Sequence, residues 1–184
     1  YHERGAVTDD YLAAILAIWT NEVASYEGKY VSFRDVHSAP MPVREPHPPV
    51  WVGGASDAAL HRAVRFGDAW HPINFRMATL RDEKLPRLQK AAEAAGKPVP
   101  ALCPRIRFQI TDAPMDEDER LAGIGTMDQI RRDLEELQGL GAQYVLLDTY
   151  DMGDIEATRD HDGAWRDFTA LAEQAVDLKN ETLR

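Results

Sequence analysis

The chain has 184 residues, 44% of them hydrophobic and 28% charged, and a formal net charge of −10. This is the composition of an ordinary globular protein able to bury a sizeable core, and no run of about 18 apolar residues offers a bilayer span. The acidic balance argues against a nucleic-acid partner and an anionic membrane surface, which need a basic face, but not against a phosphorylated small molecule held by backbone N–H groups.

From Val7 to about Asn21 the apolar residues Leu12, Ile15, Leu16 and Trp19 recur at helical spacing, with Thr8, Asp9 and Asp10 offering an N-cap. Tyr26 to Phe33 reads as a short strand or hairpin arm with Gly28 at a turn. Pro40, Pro42, Pro46, Pro48 and Pro49 remove so many backbone donors that this stretch must be an extended connector. The chain starts Tyr1-His2-Glu3-Arg4, which we read as the start of a fragment. Cys103 is the only cysteine, so no internal disulfide forms and no zinc site is expected; a reducing, cytoplasmic compartment is. No signal peptide is visible.

After the prolines, strand-like and helix-like segments alternate four times. The strands are Val50 to Gly53, Ala69 to Ile73, Arg105 to Thr111 and Tyr144 to Asp148. The helices are Asp57 to Phe66, Leu80 to Ala95, Met127 to Leu140 and Ala164 to Leu178. The fold class is α/β with a parallel sheet. Four βα units, a preceding helix and an insertion fit the second half of a (β/α)₈ TIM barrel, which takes about 250 residues. A doubly wound open sheet fits the alternation equally.

Pro49-Val50-Trp51-Val52 runs into Gly53, Gly54, Ala55 and Ser56 before the helix opened by Ser56 and Asp57. Glycines there permit positive φ and close approach of a ligand, and the first helical turn leaves about four unpaired donors with a partial positive charge, a combination suited to a phosphate. The other reading is a tight βα turn with Ser56 as an N-cap. Neither G-x-G-x-x-G nor a Gly-Lys-Ser/Thr loop is present.

Several pieces in order resemble the luciferase-like monooxygenase family: Arg4-Gly5, Thr8-Asp9-Asp10, Leu16-Ala17-Ile18-Trp19, Tyr26-Glu27-Gly28, Pro40-Met41-Pro42, Pro48 to Gly54 and Arg62 to Trp70. The resemblance covers Tyr1 to Pro72 closely and the remainder by pattern, and Trp70-His71-Pro72 together with the Pro48-Pro49-Val50-Trp51-Val52-Gly53-Gly54 strand is most similar to the F420-dependent branch. It implies a (β/α)₈ barrel, here the carboxyl-terminal part of one domain spanning residues 1 to 184, that binds coenzyme F420 or, alternatively, FMN at the carboxyl-terminal mouth. Carried onto this chain, Gly53, Gly54, Ala55 and Ser56 become the cofactor loop. The implied activity is F420-dependent hydride transfer to or from a small organic substrate. The alternatives are an FMN-dependent monooxygenase, a non-catalytic flavin-binding barrel subunit, and a barrel enzyme using the loop for a phosphorylated substrate. The earlier strands that supply much of the pocket and most proton donors have no counterpart here, so the catalytic residues are unassigned and the fragment is expected to be inactive alone. A homodimer is compatible with the full-length protein.

Other residues carry two readings each. Trp70 and His71 line the substrate pocket, and His71 can exchange a proton near neutrality, or serves only as a packed rim residue satisfied by backbone. Thr126 and Gln129 form a capping box that could also meet a phosphate. Arg105 and Arg107 alternate with Ile106 and Phe108, so they face an anion or solvent, with Pro104 suggesting an edge position. Asp116 to Glu119 is a solvated loop or first helical turn. Asp148 and Asp151 touch substrate or bound a surface loop.

Overall fold

A computed structural model describes residues 2–151, 153–180 and 182–183; Tyr1, on which the fragment reading turns, lies outside them. Helix α1 (Arg4–Thr20) starts earlier than expected, so Thr8 is not its cap. The Thr8 hydroxyl instead donates to the Arg4 carbonyl at 2.8 Å, the back-bond a threonine makes inside a helix. The apolar stripe of α1 is only half covered, and Ala14 is its one buried residue.

The motif residues near the start act as a clasp. The Asp10 carboxylate accepts from the Tyr26 hydroxyl (2.6 Å) and from the amides of Tyr30 (2.7 Å) and Val31 (3.2 Å). It thereby fixes the turn of an antiparallel hairpin, β1 (Val23–Glu27) and β2 (Ser32–His37). The single expected arm from Tyr26 to Phe33 is therefore two arms with Gly28 between them. A Cβ on Gly28 would collide with the Asp10 carboxylate. The proline-rich stretch that follows contains neither helix nor strand, as expected.

Next come β3 (Trp51–Gly53), α2 (Asp57–Phe66), β4 (Ala69–His71), α3 (Met77–Thr79), a π-helical turn (Leu80–Lys84) and α4 (Leu85–Ala95). The helix expected from Leu80 thus opens with a widened turn, in which the Leu85 amide donates to the Leu80 carbonyl. The cause lies next door: Pro86 has no N–H to return to the preceding turn. Beyond lie β5 (Ala101–Leu102), β6 (Arg105–Arg107), β7 (Gln109–Ile110), β8 (Ile124–Gly125), α5 (Met127–Gly139), β9 (Leu146–Asp148), α6 (Ile155–Thr158) and α7 (His161–Gln174), then the short β10 (Val176–Asp177) and β11 (Thr182–Leu183). Asp160, not Ala164, marks the start of α7, and its side chain accepts from the Gly163 amide.

Pro104 corrects one expectation. It is fully buried inside a strand with neighbours on both sides, not at an edge. On one side the amides of Ala101, Cys103 and Arg105 donate to the carbonyls of Asp68, Trp70 and Pro72, so β5 and β6 are one strand alongside β4. On the other side Gln143 donates to Leu102 and Leu146 to Pro104. Those donors are three residues apart while their acceptors are two apart, so the β9 strand carries one extra residue there. A bulge of this kind falls where the proline has no N–H to give.

The result is a parallel sheet in the order β3, β4, β5/β6, β9. Period-two alternation divides its faces. Val52, Trp70, Leu102, Ile106 and Phe108 pack against helices with Leu60, Val64, Leu88, Ile130, Leu134 and Leu137 to form the core. Trp51, His71, Ile73, Arg105, Arg107, Leu146 and Asp148 lie on the opposite, inner face. Trp51 contacts the rings of both His71 and Tyr144, and Tyr144 is 65% exposed.

Candidate functional site

Gly53, Gly54, Ala55 and Ser56 leave β3 at its carboxyl end and enter α2, and all four are exposed. Gly54 has φ +99°, a conformation that L side chains rarely adopt, and a Cβ there would press on Ala59. Ser56 caps α2 by accepting from the Ala59 amide, which leaves its hydroxyl proton free to donate. The Trp70 indole N–H donates to the Gly54 carbonyl at 2.8 Å. Because the peptide is trans, pinning that carbonyl on the buried indole turns the Ala55 N–H the other way, out of the protein. Among the described residues, no protein group accepts from the amides of Ala55 or Ser56, while the Gly54 amide faces the His71 carbonyl in the β3–β4 ladder.

The loop borders a cleft of about 460 Å³ whose walls include Ala55, Asn74, Arg76, Thr79 and Lys84. Arg76 and Lys84 thus line the same cleft as Ala55, Arg76 while donating to the Asp118 carbonyl at 3.0 Å, and the acidic Asp57 is paired with Arg87 at 3.2 Å. Arg76 and Lys84 belong to no recognisable motif. The signal for them was positional, since Arg76 lies in the connection that leaves the carboxyl end of β4, where parallel α/β folds place ligands, and Lys84 in the π-helical turn that follows.

Trp70 and His71 do not share a face. Trp70 is wholly buried on the helix side, where it props the loop from behind. His71 is on the inner face against Trp51, with Nδ1 2.5 Å from the Cys103 carbonyl. That contact makes Nδ1 the protonated nitrogen of the neutral ring and leaves Nε2 as the acceptor.

The other candidate residues resolve into contacts. Thr126 and Gln129 form the capping box of α5. Arg105 pairs with Asp148, and Arg107 with Asp151, on the inner face. The acidic run Asp116 to Glu119 is an exposed loop, as expected, within which Glu117 binds Gln129, Arg120 and Arg132. Sequence reasoning missed the buried pair of Arg120 and Asp133 beneath that run, because charges at such a spacing look like an ordinary solvated surface. Among the described residues, no three His, Cys, Asp or Glu side chains are grouped to hold a metal ion, and no helix is long and apolar enough to cross a membrane.

A model of the luciferase-like monooxygenase family matches residues 1–118. The chain belongs to the luciferase-like monooxygenase family. The FMNH2-dependent dimethylsulfone monooxygenase of Pseudomonas putida is 34% identical to this luciferase-like chain over 74 residues, 40% of this chain and 20% of that protein. Among solved structures, an F420-dependent secondary alcohol dehydrogenase in complex with an F420-acetone adduct superposes with a TM-score of 0.66 at 14% identity, covering 85% of this chain and 62% of that one. A monooxygenase of Streptomyces bottropensis gives 0.61 at 19% identity, covering 94% and 60%. These likenesses establish the fold as part of a luciferase-like barrel. The chain spans a fifth of the Pseudomonas relative's length and about three fifths of these two structures.

Proposed function

We propose that the chain is the carboxyl-terminal part of a single luciferase-like barrel domain, and that Gly53, Gly54, Ala55 and Ser56 hold the phosphate of its cofactor. One observation carries the reading: the loop presents unclaimed amides at the strand ends, propped outward by Trp70, with Arg76 and Lys84 in the adjoining cleft. Hydrogen bonds to a charged group are worth about 1.5–3 kcal/mol each, so the Ala55 and Ser56 amides with the Ser56 hydroxyl would contribute about 4.5–9 kcal/mol toward binding, before the cost of association.

The first reading is F420-dependent hydride transfer with a small organic substrate. FMN-dependent monooxygenation is the second, favoured by the similarity to the Pseudomonas enzyme over a stretch covering 40% of this chain. The bound group would supply hydride transfer if F420, or oxygen chemistry if reduced FMN. The chain's own residues bind and orient: the loop fixes the phosphate, Trp70 fixes the loop, and His71 offers Nε2 on the inner face where substrate would lie. Turnover is expected only from the complete barrel, because water reaches the inner face of this open sheet.

Titrating the chain with F420, FMN and riboflavin, followed by absorbance and fluorescence quenching, tests this. A phosphate-bearing cofactor should bind, riboflavin should bind at least about tenfold more weakly for want of the phosphate, and Ala55→Asp should remove the difference at unchanged melting temperature. Equal affinity for FMN and riboflavin, or no binding of F420 and FMN, overturns the assignment.

A further inference from the structure

Gln129 does more than close the capping box of α5. That box asks its side chain only to accept from the Thr126 amide, which it does at 3.1 Å and which a glutamate would do as well. A side-chain amide also has two N–H donors, and both are spent on the segment that joins β7 to β8: one on the Met115 carbonyl at 2.7 Å, the other on the Glu117 carboxylate at 2.9 Å. The Gln129 oxygen accepts from the Met115 amide as well, at 3.0 Å. Because Met115 offers both a donor and an acceptor, the two ends of the Gln129 amide are told apart. Gln129 is 3% exposed and its hydrogen-bonding capacity is filled. Gly125 makes the room, since a Cβ there would stand 2.6 Å from the Gln129 oxygen.

The segment so held reaches the cleft beside the glycine loop. Its Asp118 carbonyl accepts from Arg76 Nη1 at 3.0 Å, the Ala122 amide donates to the Phe75 carbonyl at 2.9 Å, and Leu121 joins Arg76 in the wall of the cleft that Ala55 borders. Arg76 is exposed, so without the Asp118 carbonyl its long side chain would sample many rotamers. We propose that Gln129 is a positioning residue for the cofactor's phosphate: it fixes residues 115–118, and the carbonyl there holds the Arg76 guanidinium on the cleft. The inference rests on the reading of the Gly53 to Ser56 loop as the phosphate site. Holding a rotamer-rich side chain in place before the ligand arrives is worth about two- to tenfold in affinity. The gain falls on the phosphate and not on the cofactor's ring, because it is a cation that is being held. Residue type supports this role, since the two donors that reach the segment are the ones a glutamate at the same helix position lacks.

The test is a double-mutant cycle read by flavin fluorescence quenching, with FMN and riboflavin as probes, on wild type, Gln129→Glu, Arg76→Ala and the double variant. Gln129→Glu keeps the acceptor that caps α5 and removes both donors. It should weaken FMN binding about two- to tenfold and leave riboflavin unchanged. Arg76→Ala should weaken FMN at least as much, and adding Gln129→Glu to it should cost nothing further, because the glutamine acts only through the arginine. Gln129→Met, which removes the bonds without adding a charge, should match Gln129→Glu for FMN. Thr126→Ala serves as the structural control: it takes the N-cap oxygen from α5 and leaves the Met115 bonds, so it should lower the melting temperature without moving FMN affinity. Equal losses for FMN and riboflavin, additive losses in the double variant, or a loss in Thr126→Ala as large as in Gln129→Glu would each overturn the proposal. If wild type binds FMN no better than riboflavin, the phosphate-loop reading falls and takes this one with it. If wild type discriminates and Gln129→Glu discriminates equally, the role of Gln129 alone falls. Thermal melts verify that each variant folds.

Discussion

Replacing Asp133 by Ala should be among the most costly single changes in the chain. Asp133, on α5, is 1% exposed and accepts three hydrogen bonds: from Arg120 Nη1 (2.6 Å), Arg120 Nη2 (2.7 Å) and the Gly123 amide (2.8 Å). Arg120 is itself only 7% exposed, and Asp133 beside it holds its pKa above the ordinary guanidinium value. Removing the carboxylate leaves that cation and one backbone N–H buried without their partner. Losing one member of a buried pair costs about 3–5 kcal/mol. Glu117 still binds Arg120 Nε, so the lower end applies, about 3 kcal/mol, or roughly 6–12 °C in melting temperature for a domain of this size. Urea unfolding monitored by tryptophan fluorescence measures it. The exposed pair Arg87 and Asp57 supplies the comparison, since deleting Asp57 should cost less than about 1 kcal/mol. Joint replacement of Arg120 by Met and Asp133 by Leu should recover most of the loss, because an apolar pair needs no partner. A cost for Asp133→Ala no greater than that for Asp57→Ala would refute the reasoning.

Burial pushes the Glu117 carboxyl up, but hydrogen bonds from Gln129, Arg120 and Arg132 outweigh it and bring it down to about 2. A depressed folded-state pKa stabilises fully above the ordinary carboxyl value of about 4.3 and is lost as pH falls toward about 2, so the melting-temperature gap between wild type and Glu117→Gln should be widest above about pH 5 and close in acid; a gap independent of pH refutes it. Asp10→Ala should free the β1–β2 hairpin, exposing the Tyr30 and Val31 amides to hydrogen exchange while leaving the α2 amides protected; uniform loss of protection would show that the clasp is not local. Gly54→Val should lower both cofactor affinity and melting temperature, because φ +99° strains a β-branched residue whether or not ligand is present; unchanged stability would mean the loop can relax. With the inner-face Trp51, Ile73, Tyr144 and Leu146 exposed and the outer edges of β3 and β9 unpaired among the described residues, the isolated chain should sediment as an associated species at micromolar concentration. A monomer by analytical ultracentrifugation contradicts this.

Local pattern carried much of the architecture. The four parallel strands, the proline connector, the cap at Ser56 and the capping box at Thr126 and Gln129 were all legible, because each depends on residue type within a few positions. So was the family, through pieces whose order mattered more than any one of them. What those pieces do was not legible. Asp10 and Gly28 looked like helix start and turn, yet they meet each other across the hairpin. Trp70 and His71 are neighbours in sequence, and only the sheet's alternation sends one behind the loop and the other to the inner face. Pro104 signals an edge by its missing N–H, but a one-residue bulge in the adjoining strand lets it sit inside. The pairing of Arg105 with Asp148, and of Arg120 with Asp133, joins residues 43 and 13 positions apart. Backbone preference and periodicity act over a turn or a strand and are written in the chain itself; which distant charges meet, and which face of a sheet is open, is decided by packing once the strands are in register.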